Sequence, residues 1–374
     1  MRASGSSYRF IISGGGTGGH IFPAIAIANA LVAEHPGCEL LFVGAEGRME
    51  MTRVPEAGYR IEGLPMVGMP RSRNPLAMLR FLLAWARSNR RARRIIRDFG
   101  PDLVIGVGGY SSAPTLGEAQ KLGVPTLIQE QNGYAGRANR LLARRARAVS
   151  VAYEGMERFF PSEKVVLTGN PVRQVLAGGL PTRDAARAEL GLPPRQRVLL
   201  IVGGSLGAST LNAAITDQLP LLAEHPETTV CLQTGARSYE AVRERVATYP
   251  GDNLRVLDFI GRMDLYYAAA DLIVSRAGAI AISELCIVGK PLILVPSPNV
   301  AEDHQTRNAE TLSTRGAARL IPDHQAREQL LPQALELLQR PQECQAMAER
   351  IRPLARPHAD RDIVRIINQI LGEE

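Results

Sequence analysis

Short apolar, β-branched runs alternate along the whole chain with longer stretches of helical periodicity. Strands are predicted near 8–13, 39–43, 102–107, 125–129, 148–152 and 165–168, and again near 198–202, 228–233, 255–259, 271–275, 291–295 and 317–321. Helical patterns in the gaps predict parallel sheets with crossover helices. The rhythm breaks at "TGNPVRQVLAGGLPTRD", where Pro171, Gly178, Gly179 and Pro181 interrupt regular structure. A chain of 374 residues exceeds one ordinary core. Two doubly wound α/β domains are therefore predicted, over residues 1–173 and 174–356. Ile363, Ile366, Ile367 and Ile370 mark an amphipathic helix within 357–374, expected to pack back on the first domain.

Glycine interrupts this pattern wherever a strand hands over to a helix. In "FIISGGGTGGHIFPAIAIANAL", Gly14, Gly16 and Gly19 satisfy GxGxxG between strand and helix, so a nicotinamide dehydrogenase has to be considered. That motif is weak alone. Bare backbone at a helix N-terminus favours any anion, because its N–H groups point outward. A second such turn, "VLLIVGGSLGAS", surrounds Ser205, and a third, "DLIVSRAGAIAISEL", places Gly278 before Ala279, Ile280 and Ala281. Glu284 lies one helical turn beyond Ile280. It can accept hydrogen bonds from both hydroxyls of a ribose, or simply pair with a neighbouring side chain. Phosphate-binding loops in both halves predict a cleft between the domains, with one phosphorylated ligand for each.

Composition narrows the class. Apolar residues at 45% and charged residues at 22% exclude a disordered or fibrous chain. Residues 1–175 hold 23 Lys+Arg and 13 Asp+Glu, a net of +10, and the remainder holds 21 and 24, a net of −3. The first half thus faces something negative. Cys38, Cys231, Cys286 and Cys344 form no CxxC pair, which favours reduced thiols over disulfides or zinc. The apolar run at the N-terminus is too short for a signal peptide. No apolar run approaches the roughly 18 residues that a spanning helix needs.

Eight segments in chain order now resemble one family. They are "GGGTGGHIFPAIAIA", "DLVIGVGGYSSAP", "PTLIQEQNGYAGRANR", "TGNPVR", "VGGSLGA", "FIGRM", "SRAGAIAISEL" and "AEDHQTRNA". Together they resemble the MurG family, bacterial peptidoglycan N-acetylglucosaminyltransferases of the GT-B fold, over nearly the whole chain. The resemblance implies inverting transfer of GlcNAc from UDP-GlcNAc to the C4 hydroxyl of the muramyl sugar of lipid I, giving lipid II, at the cytoplasmic face of the inner membrane. For UDP-GlcNAc it implies Ser205 at the diphosphate, Ile260 at the uracil, Ala279 and Ile280 as backbone donors, Glu284 at the ribose and Gln305 at GlcNAc hydroxyls. Asn132, Arg173, Thr17, Gly18 and Gly19 complete that set. Gly15, Gly16, Tyr110 and Gln131 fall on the acceptor side. Leu206, Ala277, Ala281 and His304 depart from residues common in the family, which removes individual side-chain contacts but no glycine scaffold.

Inverting transfer needs one base. His20 follows the glycine loop at the positive end of a helix dipole, which favours the neutral imidazole that a base requires. Glu130 in "QEQN" is the alternative. The DxD motif of metal-dependent GT-A enzymes occurs only at Asp360-Arg361-Asp362, in the C-terminal helical tail. No metal or other cofactor is therefore expected, and helix dipoles, backbone N–H groups and Arg173 meet the leaving-group charge. Residues 63–97 contain nine arginines and no acidic residue, together with Leu76, Leu79, Phe81, Leu82, Leu83 and Trp85. The segment 71–97 is expected to dock on an anionic membrane surface. No nucleic-acid-binding motif accompanies these arginines. The rival functions are a diacylglycerol glycosyltransferase, a UDP-GlcNAc 2-epimerase and a noncatalytic UDP-sugar-binding protein.

Overall fold

The computed structural model describes residues 7–68, 74–109, 111–173, 176, 178–204, 207–300 and 303–372. The chain divides into two compact units, Met1–Val172 together with His358–Glu374, and Arg173–Pro357. The first holds a seven-stranded sheet of β1 (Arg9–Ser13), β2 (Glu39–Ala45), β3 (Arg60–Leu64), β4 (Leu103–Gly106), β5 (Thr126–Glu130), β6 (Ala148–Val151) and β7 (Val165–Leu167), in the order β3-β2-β1-β4-β5-β6-β7. The second holds β8 (Arg197–Val202), β9 (Thr228–Gln233), β10 (Leu254–Leu257), β11 (Leu272–Ser275), β12 (Leu292–Leu294) and β13 (Arg319–Leu320), in the order β10-β9-β8-β11-β12-β13. Every pairing in both sheets is parallel. These are the two doubly wound α/β domains of a GT-B fold.

Twelve strands lie where hydrophobic patterning predicts them, and β3 is the exception. Its sequence, RIEGL, alternates charged residues with apolar ones and forms the sheet edge, so it never builds the continuous apolar run of a doubly covered strand. The inner strands do. Ile11, Val104, Ile128 and Val149 point to one core, while Phe10, Ile12, Leu103 and Leu127 point to the other. Ile363, Val364, Ile366 and Ile367 of the last helix (Ala359–Leu371) are buried in that second core. Asn368 Oδ1 pairs with His35 Nε2 at 2.8 Å, beyond the end of α1 (Gly18–Glu34). All four cysteines are free, and burial pushes the Cys231 and Cys286 thiols up to about 12.

In each sheet the strand order reverses once, between β1 and β4 and between β8 and β11. The glycine loops leave the carboxyl ends of these four strands, at the position where a doubly wound sheet opens a crevice. In the first unit the loops after β1 and β4 nearly touch. A methyl on Gly109 would lie 2.3 Å from the Gly15 carbonyl oxygen, and one on Gly14 would lie 2.2 Å from Val107 Cγ2. Behind them is Glu50, the first residue of α2 (Glu50–Glu56) and only 1% exposed. Its Oε2 accepts from the Gly16 N–H at 2.8 Å and its Oε1 from the Ala45 N–H at 2.9 Å. Glu50→Ala leaves two backbone donors without that acceptor, at about 1–3 kcal/mol each. Urea unfolding should therefore show a loss of about 2–4 kcal/mol. A variant within about 0.5 kcal/mol of wild type would remove Glu50 as the anchor of the loop.

Candidate active site

The first unit brings the glycine loop and one histidine to the sheet's switch point. Thr17 is the N-cap of α1 in extended conformation, yet its side chain caps nothing, and the first turn holds no acidic residue. The N–H groups of this helix end are thus not claimed by a local carboxylate or hydroxyl. Asn74 and Thr182 show the contrasting arrangement, each capping its own helix through a side-chain oxygen. Thr17 and Gly19 are exposed, Gly18 is half-buried and Gly15 is buried.

His20 occupies the first turn of α1, and its ring packs over Gly108. Gly108 has φ of +87°, and a methyl there would lie 2.9 Å from His20 Cε1, so this position requires glycine. His20 Nδ1 lies 3.0 Å from Gln131 Oε1. The Gln131 amide nitrogen donates to Val107 O at 2.7 Å and also faces Gln129 O and Gln129 Oε1. That crowd of oxygens orients the amide with its own oxygen toward the histidine. Nδ1 then carries the proton, which leaves the lone pair on Nε2. Gln129 donates to Asn170 Oδ1 at 2.8 Å, and Asn170 donates to Gln131 O at 3.0 Å, so a buried amide chain holds the ring in place.

Glu130 is buried and differently employed. Its Oε1 accepts from Asn132 N at 3.1 Å and from Asn132 Nδ2 at 3.4 Å. Its Oε2 accepts from Gly136 N at 3.2 Å and from Asn139 Nδ2 at 2.8 Å. The carboxylate fills its acceptor sites with Asn132 and Gly136 of the loop and with Asn139 of the helix Arg137–Ala143 that follows it. Tyr110 and Ser205 lie outside the described residues.

In the second unit, Gly278 begins the helix Ala279–Val288, again without a side-chain cap or an acidic first turn. The helix Ser209–Thr216, after the other glycine loop, shares both features. Glu284 lies one turn inside Ala279–Val288 and is buried. Arg173 Nε contacts its Oε1 at 2.9 Å, and Tyr267, fully enclosed, donates to the same carboxylate. Burial pushes the Glu284 carboxyl above the ordinary carboxylate range, while Arg173 and Tyr267 pull it back down. The Tyr267 phenol is driven up, first by burial and then by the neighbouring Glu284. Gln305 Oε1 accepts from Ala277 N at 3.2 Å and Ser297 N at 2.9 Å, which ties together the loops after β11 and β12. Its amide N–H groups are the part suited to a ligand acceptor. Ile260 is buried. Asp362, of the lone DxD, pairs with Arg365 at 2.9 Å in the first turn of the last helix.

Glu50, Gly108, Gln129, Asn170 and Tyr267 belong to these clusters although the motifs do not single them out. Gly108, Gln129 and Asn170 lie inside the quoted motifs, and the adjacent glycines of "GVGGY" also announce positive φ. The others become site residues through contacts made at long sequence separation.

Residues 10–151 match the model of the Glycosyltransferase family 28 N-terminal domain, and residues 198–362 match that of its C-terminal domain. A Porphyromonas gingivalis protein named UDP-N-acetylglucosamine--N-acetylmuramyl-(pentapeptide) pyrophosphoryl-undecaprenol N-acetylglucosamine transferase is 54% identical over 372 residues, covering 99% of this chain and 98% of its own. The Parabacteroides distasonis protein of the same name is 50% identical, with 97% and 99% covered. The crystal structure of Acinetobacter baumannii MurG is 30% identical, with a TM-score of 0.77 over 97% of this chain and 100% of its own. With both domain models matched in order and relatives at half identity end to end, the chain belongs to glycosyltransferase family 28.

Proposed function

We propose that this protein transfers GlcNAc from UDP-GlcNAc to the C4 hydroxyl of the N-acetylmuramyl pentapeptide on undecaprenyl diphosphate, converting lipid I to lipid II with inversion at the anomeric carbon. The observation that carries the reading is His20, held in one tautomer by Gln131 at an uncapped helix N-terminus. It stands in a chain that matches transferases of this name over nearly its full length.

The chemistry follows from those groups. His20 Nε2 takes the proton of the acceptor hydroxyl while its oxygen attacks the anomeric carbon, and the bond to the UDP oxygen breaks. The amide chain behind Nδ1–H keeps the ring aimed as positive charge develops on it. Glu130, saturated by four hydrogen bonds, shapes the loop beside the base. On the donor side the N–H groups of Ala279 and Ile280 face the leaving diphosphate, an electrostatic role that asks for no metal. A carboxylate offers about four acceptor sites. Arg173 and Tyr267 use two at Glu284, and the ribose hydroxyls take the rest. Gln305 donates to GlcNAc hydroxyls, and Ile260 meets uracil through its main chain.

The lipid acceptor brings the protein to the cytoplasmic face of the membrane as a peripheral enzyme. Among the described residues no helix is long and apolar enough to cross a bilayer. The support for docking is α3 (Pro75–Phe99), whose buried residues all lie in its second half, from Ser88 onward. Its first half leaves Leu76, Leu79, Leu82 and Leu83 between 50% and 56% exposed. Arg80, also exposed, adds positive charge among them, which is worth about 1 kcal/mol near an anionic leaflet.

His20→Ala should lower kcat by about 10²–10⁴-fold in transfer of radiolabelled GlcNAc to a lipid I analogue, with UDP-GlcNAc binding retained. Full turnover in this variant would move the base elsewhere. Arg173→Ala removes a group that holds Glu284 down. The carboxylate needed by the ribose is lost as pH falls through the Glu284 pKa, so the acid-side rise in KM for UDP-GlcNAc should begin at higher pH in the variant. An unchanged profile would separate Glu284 from donor binding. Changing Leu76, Leu79 and Leu83 together to Ser should weaken co-sedimentation with phosphatidylglycerol vesicles by at least about tenfold while leaving the melting temperature unchanged, because each buried leucine contributes about 1.5–3 kcal/mol. Undiminished sedimentation would place docking elsewhere.

A further inference from the structure

The first unit carries a second concave site at the opposite edge of its sheet. There α3 and the starts of β1, β2 and β3 enclose a pocket of about 500 Å³. Arg9 opens β1, Glu39 opens β2 and Arg60 opens β3, so the pocket borders the amino ends of strands whose carboxyl ends bear the glycine loops. The five residues of β1, at roughly 3.3 Å each, put about 15 Å between the two sites. The transfer reaction as derived above makes no use of this pocket.

Its lining is unusually basic. Arg9, Arg60, Arg87, Arg90, Arg91 and Arg94 face Glu39, Glu62 and Asp98, six positive groups against three negative ones and a net of +3. Arg87, Arg91 and Arg94 follow one another at i, i+4 and i+7 on one face of α3, and Arg90 precedes Arg94 by one turn. Like charges at this spacing repel and weaken a helix. Among the described residues two of the six are relieved by an ion pair, Arg9 with Glu39 at 3.3 Å and Arg91 with Glu62 at 3.7 Å. Arg60, Arg87, Arg90 and Arg94 have no carboxylate partner among the described residues. Arg9 is held in place, its guanidinium 4.6 Å above the Phe99 ring, with a buried Nε that makes no hydrogen bond.

We propose that this pocket binds a compact ligand bearing two phosphate groups. Guanidinium forks match phosphate oxygens in pairs, and arginine is the side chain suited to that recognition. A diphosphate ester carries about −2.5 to −3 near neutral pH, −1 on the inner phosphate and about −1.5 to −2 on the terminal one, so it balances the net charge of the wall. The three carboxylates define the ligand's size. They repel an extended anionic surface pressed against the pocket mouth, while Glu39 and Glu62 orient Arg9 and Arg91 for a small group inside. A soluble diphosphate and a lipid diphosphate headgroup share this chemistry.

The sole tryptophan, Trp85, lies on α3 two residues before Arg87, so its fluorescence reports locally. The experiment titrates inorganic pyrophosphate into full-length protein saturated with UDP, beside sodium sulfate at matched ionic strength. A second arm uses phosphatidylcholine vesicles with and without undecaprenyl diphosphate. Wild type is compared with R87Q/R94Q, and melting temperatures confirm that both are folded. Saturable binding of pyrophosphate that weakens at least about tenfold in R87Q/R94Q establishes the site with a soluble ligand. The same loss seen only with diphosphate-bearing vesicles establishes it with a lipid headgroup. Equal responses of both proteins in both arms, no response in either arm, or a sulfate response matching that of pyrophosphate would overturn the proposal.

Discussion

The site of the first unit depends on a close approach of two backbones. The loops after β1 and β4 meet where a single methyl on Gly109 would collide with the Gly15 carbonyl, and the Gly15 N–H reaches Gly108 O at 3.3 Å. That contact is open only to glycine, and Gly108 and Gly109 also take positive φ. The rest of the arrangement follows from it. Once the loops touch, the start of α1 is fixed beside the end of β4, and His20 comes to lie over Gly108 within reach of Gln131. Glu50 closes the loop from behind by accepting the Gly16 N–H.

Three buried glutamates show how partners rather than residue type decide a role. Glu50 accepts backbone N–H groups from two different loops and acts as a clasp. Glu130 accepts four hydrogen bonds, from Asn132 and Gly136 of the following loop and from Asn139 of the next helix, and shapes that loop. Glu284 meets a guanidinium and a phenol, which offset part of the cost of burial within the helix Ala279–Val288. All three obey the rule that a buried charge must be compensated. Glu284 and Glu50 each use two acceptor sites and Glu130 uses four, so what separates Glu284 is that its partners are a charged and a phenolic side chain.

The long helix α3 combines two environments along one axis. Its second half buries Ala92, Ile95, Ile96 and Phe99 and so anchors the helix to the sheet. Its first half, capped by Asn74, holds leucines out in solvent. A helix anchored at one end can present the other to a bilayer without losing its fold.

The order of strands and helices was legible in the sequence because inner parallel strands, covered on both faces, must be continuously apolar, as Phe10–Ile12 and Val198–Ile201 are. The edge strand β3 was not, since one open side permits Arg60 and Glu62. Glycine runs announced the strand-to-helix turns, and eight motifs in register identified the family, because local backbone demands leave local marks. His20 was legible as a candidate for the same reason, because it adjoins a glycine loop. What the tertiary structure alone decided are contacts across long sequence separations: Glu50 on Gly16, the amide chain from Asn170 through Gln129 to Gln131, Tyr267 on Glu284, and the arginines gathered from β1, β3 and α3. No periodicity encodes these pairs, because each forms only after a sheet has brought distant strands to 4.7–4.9 Å spacing and set their ends side by side.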